Sequence, residues 1–314
     1  MMTTSASCDE LFAALRDELG GGVKLDAPFG AQTTYRVGGT CKYYVAVGSR
    51  EDAMLVGTAV AACGLPVLVL GNGSNLLVSD AGFDGVVIHC VGELSTARFS
   101  SDAVTAGGGM SLPSLARRSV SEGRVGLEFL VGIPGTVGGA VRQNAGGHGK
   151  ETAEVLRSAL ILDLLTGRLE HHELSWFDFA YRSSRLVSTE LVIDATFHAP
   201  SGDGRAGSAI LDSIVRWRRA NQPGGANAGS VFVNPAGDSA GALIDRAGLK
   251  GLRRGGAVVS MKHANFIQAE SGATAADVLA VMRAVSRGVE ERFGVTLQPE
   301  TQLVGFTDDE RSPW

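Results

Sequence analysis

An α+β architecture is expected for this chain, on three observations. Strand-like and helix-like segments alternate irregularly, with no clean series of βαβ units. The 314 residues are 44% hydrophobic and 19% charged, which supplies apolar core for about two domains and excludes global disorder. Glycine, at 43 residues, stands at about twice its ordinary share, in short clusters without the period of collagen. The net charge of -5 argues against a nucleic-acid-binding surface. Phosphorylated ligands stay open, because backbone N–H groups hold them without a basic patch.

Taken in order, the N-terminal MMTTSASCDELFAALRDELG lacks a basic stretch followed by an apolar one, so it reads as an amphipathic helix and not as a signal peptide. Residues 1–30 form a lead-in segment. Buried strands are expected at 65–70, within 84–90 and within 154–167. SLPSLARRSVSEG at 111–123 reads as a helix, with Ser111 as cap, Pro113 in the first turn and Gly123 at the exit. Turn formers cluster in APSGDGRAGS at 199–208, after the strand-like LVIDATFH, and mark the domain boundary between 31–200 and 208–314. A loop, NQPGGANAG at 221–229, follows a basic helical stretch. Thr274 and Asp277 are spaced as a capping box, and Val278, Met282, Val285, Val289 and Phe293 then recur at helical steps until Gly294. VTLQPETQLVGF continues as a strand. No apolar run approaches the roughly 18 residues of a membrane span. Cys8, Cys41, Cys63 and Cys90 contain no CxxC pair, which fits a reducing compartment, and no His/Asp/Glu cluster has metal-ligand spacing. A soluble cytoplasmic protein without a metal is therefore expected.

Two glycine-rich segments carry the chemical signal. In Leu70-Gly71-Asn72-Gly73-Ser74-Asn75-Leu76, missing Cβ atoms let backbone N–H groups converge on an anion, with Asn and Ser as added donors. The plain alternative is a hairpin turn. A dinucleotide-binding fingerprint is excluded, since the third glycine is missing and LLVSD continues as a strand where a helix should open. The second segment, GLEFLVGIPGTVGGAVRQNAGG at 126–147, holds six glycines between 132 and 147. A packed core gains nothing from so many, whereas close approach of backbone to a flat or phosphorylated ligand explains them.

These segments occur with TTYRVGG at 33–39, FAYRSS, AGSVFVNP, AGALIDRAGLKGLRRGGAVVSMKHANF at 240–266 and LQPETQLVG. In that order, and over nearly the whole chain from residue 24, the sequence resembles the UDP-N-acetylenolpyruvoylglucosamine reductases, the MurB family of flavoenzymes. The resemblance implies a two-part FAD-binding domain of the PCMH or vanillyl-alcohol-oxidase type over 31–200, and a C-terminal α/β substrate-binding domain over 208–314 that closes over the flavin. It implies FAD as cofactor and NADPH as co-substrate. The substrate would be the enolpyruvyl ether of UDP-N-acetylglucosamine and the product UDP-N-acetylmuramate, a peptidoglycan precursor. A monomer without nucleic-acid or membrane partners is expected. By position, Gly71, Asn72, Gly73, Ser74, Asn75 and Leu76 would wrap the FAD diphosphate. Gly135, Thr136, Gly138, Gly139, Asn144, Ala145 and Gly146 would line the flavin and its phosphates, with Arg36 near the cofactor.

The implied reaction runs in two halves. NADPH reduces the flavin; the flavin then reduces C3 of the enolpyruvyl ether while C2 takes a proton. Charge developing at C2 beside a carboxylate demands cationic or hydrogen-bonding groups there and a proton donor at C2. Arg182 matches the family's active-site arginine, and its planar fork suits a carboxylate; without the match it would read as a surface arginine like Arg185. Ser230 matches the general acid, the bland alternative being a turn or cap residue. Glu300 matches the third member, and either orients the substrate carboxylate while protonated or sets up the serine's proton; alone it would read as solvated. Tyr181, Asn234 and His263 are candidate substrate contacts, as is Arg218 or its neighbour Arg219, the alternative for these two being a solvated helix face. His171 and His172 receive no role. The chain departs from the family at Ser183, usually acidic, and at Val233, commonly polar or basic. The short segment between Arg182 and Ser230 leaves little room for a tyrosine-bearing substrate loop, which points to the shorter class. A flavin oxidase needs a base and has no carbanion to protonate, so the trio favours the reductase over it. A binder without turnover would not need the trio at all.

Overall fold

The structure, a computed structural model, describes residues 7–312 and 314. Helix α1 (Cys8–Glu18) starts at a reciprocal cap between Ser7 and Glu10; the first six residues of the expected helical segment lie outside the described residues. Strands β1 (Val23–Ala27) and β2 (Cys41–Val47) lead to α2 (Arg50–Cys63), which Ser49 and Asp52 cap and Gly64 ends in the left-handed conformation. Then come β3 (Val67–Leu70), β4 (Leu76–Val78), β5 (Phe83–Cys90), β6 (Ala97–Phe99) and β7 (Ala103–Gly107). Helices α3 (Leu112–Ser121) and α4 (Val137–Gln143) follow, then a short hairpin of β8 (Gly146–Gly147) and β9 (Lys150–Glu151). Strands β10 (Leu156–Asp163), β11 (Leu169–Glu173) and β12 (Glu190–His198) precede α5 (Gly204–Asn221) and α6 (Ala240–Arg246). The chain finishes with β13 (Arg253–Arg254), β14 (Ala257–Val259), β15 (Ile267–Ala269), α7 (Ala275–Phe293), β16 (Gln302–Val304) and α8 (Asp308–Arg311).

The chain divides into two compact units built from non-contiguous segments. One comprises Met1–Ala27, Cys41–Gly71 and Asp84–Val215; the other comprises Pro28–Thr40, Asn72–Phe83 and Arg216–Trp314. The division thus falls within α5, where the sequence reading set it at 199–208, and α5 itself begins inside that expected linker.

In the first unit a mixed sheet runs β1-β2-β5-β3, with β1 antiparallel to β2 and β3 parallel to β5. Phe12 and Val56 from the helices pack with Val45 and Ile88 from the strands. An antiparallel sheet runs β11-β10-β12-β7-β6. Its Ile161 and Phe197 share a second core with Leu112 and Leu115 of α3 and Val137 and Val141 of α4. This mixture of parallel and antiparallel pairing gives the α+β fold that the irregular alternation implied.

The second unit holds the antiparallel sheet β13-β14-β15 and the parallel pair β16 and β4. Val278, Met282, Val285 and Val289 of α7 form its core with Val259, Ile267, Phe232 and Leu243. Each such side chain, fully buried, stabilises by roughly 1.5–3 kcal/mol. Residues 295–306 form a strand only over Gln302–Val304. Pro299 lacks an N–H for a ladder, and the segment before β16 is held by single bonds to residues 231–233.

Candidate active site

Arg182 is the best-framed candidate of the first unit. It occupies a tight turn, Ala180-Tyr181-Arg182-Ser183, closed by Ala180 N–H to Ser183 O and Ser183 N–H to Ala180 O, each 3.1 Å. Arg182 takes the left-handed conformation at φ 56°, a backbone strain of about 1–3 kcal/mol that other contacts must hold. Those contacts come from the end of α4. The Asn144 amide donates to Ala180 O at 3.1 Å, Ser184 Oγ donates to Arg142 O at 2.7 Å, and an Arg182 Nη donates to Gly146 O at 3.3 Å. The guanidinium also lies 4.9 Å from the centre of the half-exposed Tyr181 ring. Ser183, the departure from the family pattern, is exposed and closes the turn through its backbone.

The glycine-rich segment builds α4. Thr136, 3% exposed, caps the helix through Oγ1, which accepts the Gly139 N–H. The Gly138 N–H donates to Gly108 O at 2.7 Å and the Val137 N–H to Met110 O at 2.9 Å, so Gly107-Gly108-Gly109, which sequence reasoning passed over, forms the floor of this segment. Gly71 packs against Thr136, and a Cβ added at Gly71 would overlap Thr136 Oγ1. Gly139 and Gly147 are different. Neither has a positive φ, and an added Cβ would meet nothing nearer than Thr136 Oγ1 at 3.6 Å and Ile133 Cγ1 at 3.9 Å. Inside α4 a glycine costs about 1 kcal/mol relative to alanine, and no neighbour among the described residues repays it. A flat or phosphorylated group lying against the backbone would, so these residues fit a flavin cofactor. Asn144 is bonded within the protein: it is 1% exposed, and its Oδ1 accepts the Ala153 N–H at 2.9 Å. Ala145 O accepts the N–H and hydroxyl of Thr152, and Gly146 pairs with Glu151 in the β8–β9 hairpin.

In the second unit the structure brings Ser230 and Glu300 onto neighbouring backbone. Ser230 follows Gly229 (φ 75°) and precedes Val231, whose carbonyl accepts the Glu300 N–H at 2.8 Å. The Asn265 amide, 3% exposed, mimics a strand partner: its Oδ1 accepts the Phe232 N–H at 3.0 Å and its Nδ2 donates to Phe232 O at 2.8 Å. Asn75 donates from Nδ2 to Glu300 O at 2.9 Å and accepts the Gln302 N–H on its own carbonyl. Sequence reasoning singled out Asn75 as a diphosphate contact and missed Asn265 altogether, although KHANF was among the quoted motifs.

The 71–76 segment is no hairpin turn, since β3 pairs with β5 and β4 with β16. Gly73 needs to be glycine within the protein itself: its φ is 61°, and a Cβ would come 2.7 Å from Thr33 Cα. Leu76 is a buried residue of β4, Ser74 is half-buried and Asn72 exposed. Arg36 is exposed with φ 58° beside the wholly buried Tyr35, whose hydroxyl burial pushes well above the ordinary tyrosine value. Gly135 O accepts the Leu112 N–H. The half-buried Arg218 bonds Gln222 at 2.7 Å, and burial lowers its pKa. Asn234 Oδ1 accepts the Ala240 N–H. His263 accepts the Asn265 N–H on Nδ1 at 3.3 Å, and burial, then the charge of Lys250, holds its pKa below the ordinary histidine value. Val233 is held by its N–H to Gln298 O.

Comparison with known proteins gives this arrangement its class. Residues 41–172 match the FAD binding domain family, and residues 221–304 match the UDP-N-acetylenolpyruvoylglucosamine reductase C-terminal domain. The chain is thus an FAD-binding protein of α+β fold. It is 40% identical over 298 residues to the UDP-N-acetylenolpyruvoylglucosamine reductase of Geobacter metallireducens, covering 95% of this chain and 99% of that one. It is also 40% identical over 312 residues to UDP-N-acetylenolpyruvoylglucosamine reductase 2 of Symbiobacterium thermophilum, covering 99% of each. The crystal structure of the Thermus caldophilus reductase superposes with a TM-score of 0.78 at 35% identity, over 90% of this chain and 98% of that one. The chain belongs to the UDP-N-acetylenolpyruvoylglucosamine reductase family.

Proposed function

We propose that the protein reduces the enolpyruvyl ether of UDP-N-acetylglucosamine to UDP-N-acetylmuramate, with NADPH as reductant. The observation that carries this reading is 40% identity along almost the entire length of reductases so named. FAD, when bound, supplies the two-electron chemistry that links NADPH to C3 of the enolpyruvyl group. Gly135, Gly138, Gly139 and Gly146, with the cap at Thr136, would hold it through backbone. The four free thiols fit a reducing, cytoplasmic setting.

The chain's own residues manage charge and proton. Arg182 binds the substrate carboxylate through two parallel N–H bonds and neutralises the charge that grows as C2 becomes electron-rich. The turn around it keeps the guanidinium preorganised, so little side-chain freedom is lost at the moment of reaction. Ser230 gives its hydroxyl proton to C2. A serine is a weak acid, so it needs a partner that polarises the hydroxyl. The Glu300 N–H to Val231 O bond holds the Glu300 backbone beside that of Ser230, which fits a shared role of the two residues; the Glu300 carboxyl either sets up the serine's proton or orients the substrate carboxylate. Ser230→Ala tests the assignment. Bleaching of the flavin by NADPH is expected to persist at near the original rate, while recolouring by the enolpyruvyl sugar slows by about 10²-fold or more. Equal slowing of both half-reactions would contradict a proton donor at this position.

A further inference from the structure

We propose that Asn144 is a positioning residue for Arg182, and this rests on the reductase reading above. Position in the glycine-rich segment would make Asn144 a flavin contact. The structure spends its amide elsewhere. The side chain is 1% exposed, donates from Nδ2 to Ala180 O and accepts the Ala153 N–H on Oδ1. Asn144 also ends α4 in the left-handed conformation, φ 42°, where asparagine is among the few side chains tolerated.

Ala180 is the first residue of the turn that carries Arg182, and its carbonyl also accepts the Ser183 N–H that closes the turn. One donor from Asn144 therefore reaches the hinge of the turn. Two residues further on, Gly146 O receives the Arg182 guanidinium itself. Backbone and side chain of Arg182 are thus both referred to residues 144–146. The strained φ of Arg182 needs such over-determination, because a free turn would relax to an ordinary conformation and carry the guanidinium away with it. Without the Asn144 donor, Ala180 O keeps the Ser183 N–H that closes the turn, so what is lost is the tie between the turn and the end of α4.

Asn144→Asp isolates the latch. It keeps the Oδ1 acceptor for Ala153 and removes the Nδ2 donor to Ala180. In the FAD-loaded enzyme, flavin content and bleaching by NADPH are expected within about twofold of the parent, while recolouring by the enolpyruvyl sugar slows by about tenfold or more with a raised KM. In an Arg182→Ala background the same change is expected to slow recolouring by less than about twofold, since the residue it positions is gone. Hydrogen exchange gives a readout independent of turnover: the peptide spanning 178–185 is expected to exchange about tenfold faster in Asn144→Asp, with the rest of the chain unchanged. Should Asn144→Asp fold poorly, Asn144→Gly, which keeps the left-handed backbone, serves for the same measurements. Slowing that multiplies with Arg182→Ala, equal damage to both half-reactions, or unaltered exchange over 178–185 would each overturn the proposal. Failure of the parent enzyme to recolour with the sugar would instead overturn the reductase reading, and the exchange measurement would still decide the latch.

Discussion

Three asparagine side chains hold the backbone next to the three residues assigned to chemistry. Asn144 bonds beside Arg182, Asn265 beside Ser230, and Asn75 bonds Glu300 itself. Their partners lie 36, 33 and 225 residues away in sequence, so no local pattern could announce them. Arg182, Ser230 and Glu300 are proposed from short motifs; the asparagines that hold the backbone beside them carry no such signature. Steric detail is equally specific at Gly71. Gly71→Ala should destabilise by about 1–3 kcal/mol through overlap with Thr136 Oγ1. Adding Thr136→Ala, which removes that atom, should cost less than the sum of the two single changes in urea denaturation. His263 couples stability to pH. Its folded pKa lies below the unfolded one, and its Nδ1 lone pair is already taken by the Asn265 N–H. The unfolded state therefore binds the proton first. Stability should fall as pH drops through the ordinary histidine value, between about pH 7 and 5. His263→Gln should show a shallower loss over that window, measured by urea midpoints; an identical slope would count against it.

Elements with local signatures were read well. The stripe and capping box of α7 are both present, with Gly294 in the left-handed conformation at its end. The sequence did not reveal that Asp80 completes that cap, accepting the Ala275 and Ala276 N–H groups at 2.9 Å each. Nor did it reveal that β4 pairs in parallel with β16, since nothing local links residues 76–78 to 302–304. Helix α3 formed where expected, yet Ser111 makes no side-chain cap bond. Two carboxylate bonds at a helix N-terminus are a substantial local contribution. Asp80→Ala should lower stability by about 1–2 kcal/mol, and Asp80→Asn, which keeps one acceptor, by less. Melting temperatures of the two variants check the order; equal values would show that the helix does not depend on this carboxylate.

For the molecule as a whole, composition set the right bounds: an α+β chain with apolar material for more than one core. The compact units, however, take residues 28–40 and 72–83 out of chain order, which linear punctuation by turn formers does not encode. The glycine excess was partly structural, as at Gly73, and partly unexplained by any neighbour among the described residues, as at Gly139. That second kind fits a cofactor lying against the backbone, and it makes the visible spectrum the decisive observable. Purified protein should carry flavin absorption, lose it on anaerobic addition of NADPH, and regain it when the enolpyruvyl ether of UDP-N-acetylglucosamine is added, with UDP-N-acetylmuramate formed in step. A colourless protein that takes up no FAD would contradict the account, as would a bleached flavin that ignores the sugar and recovers only with oxygen.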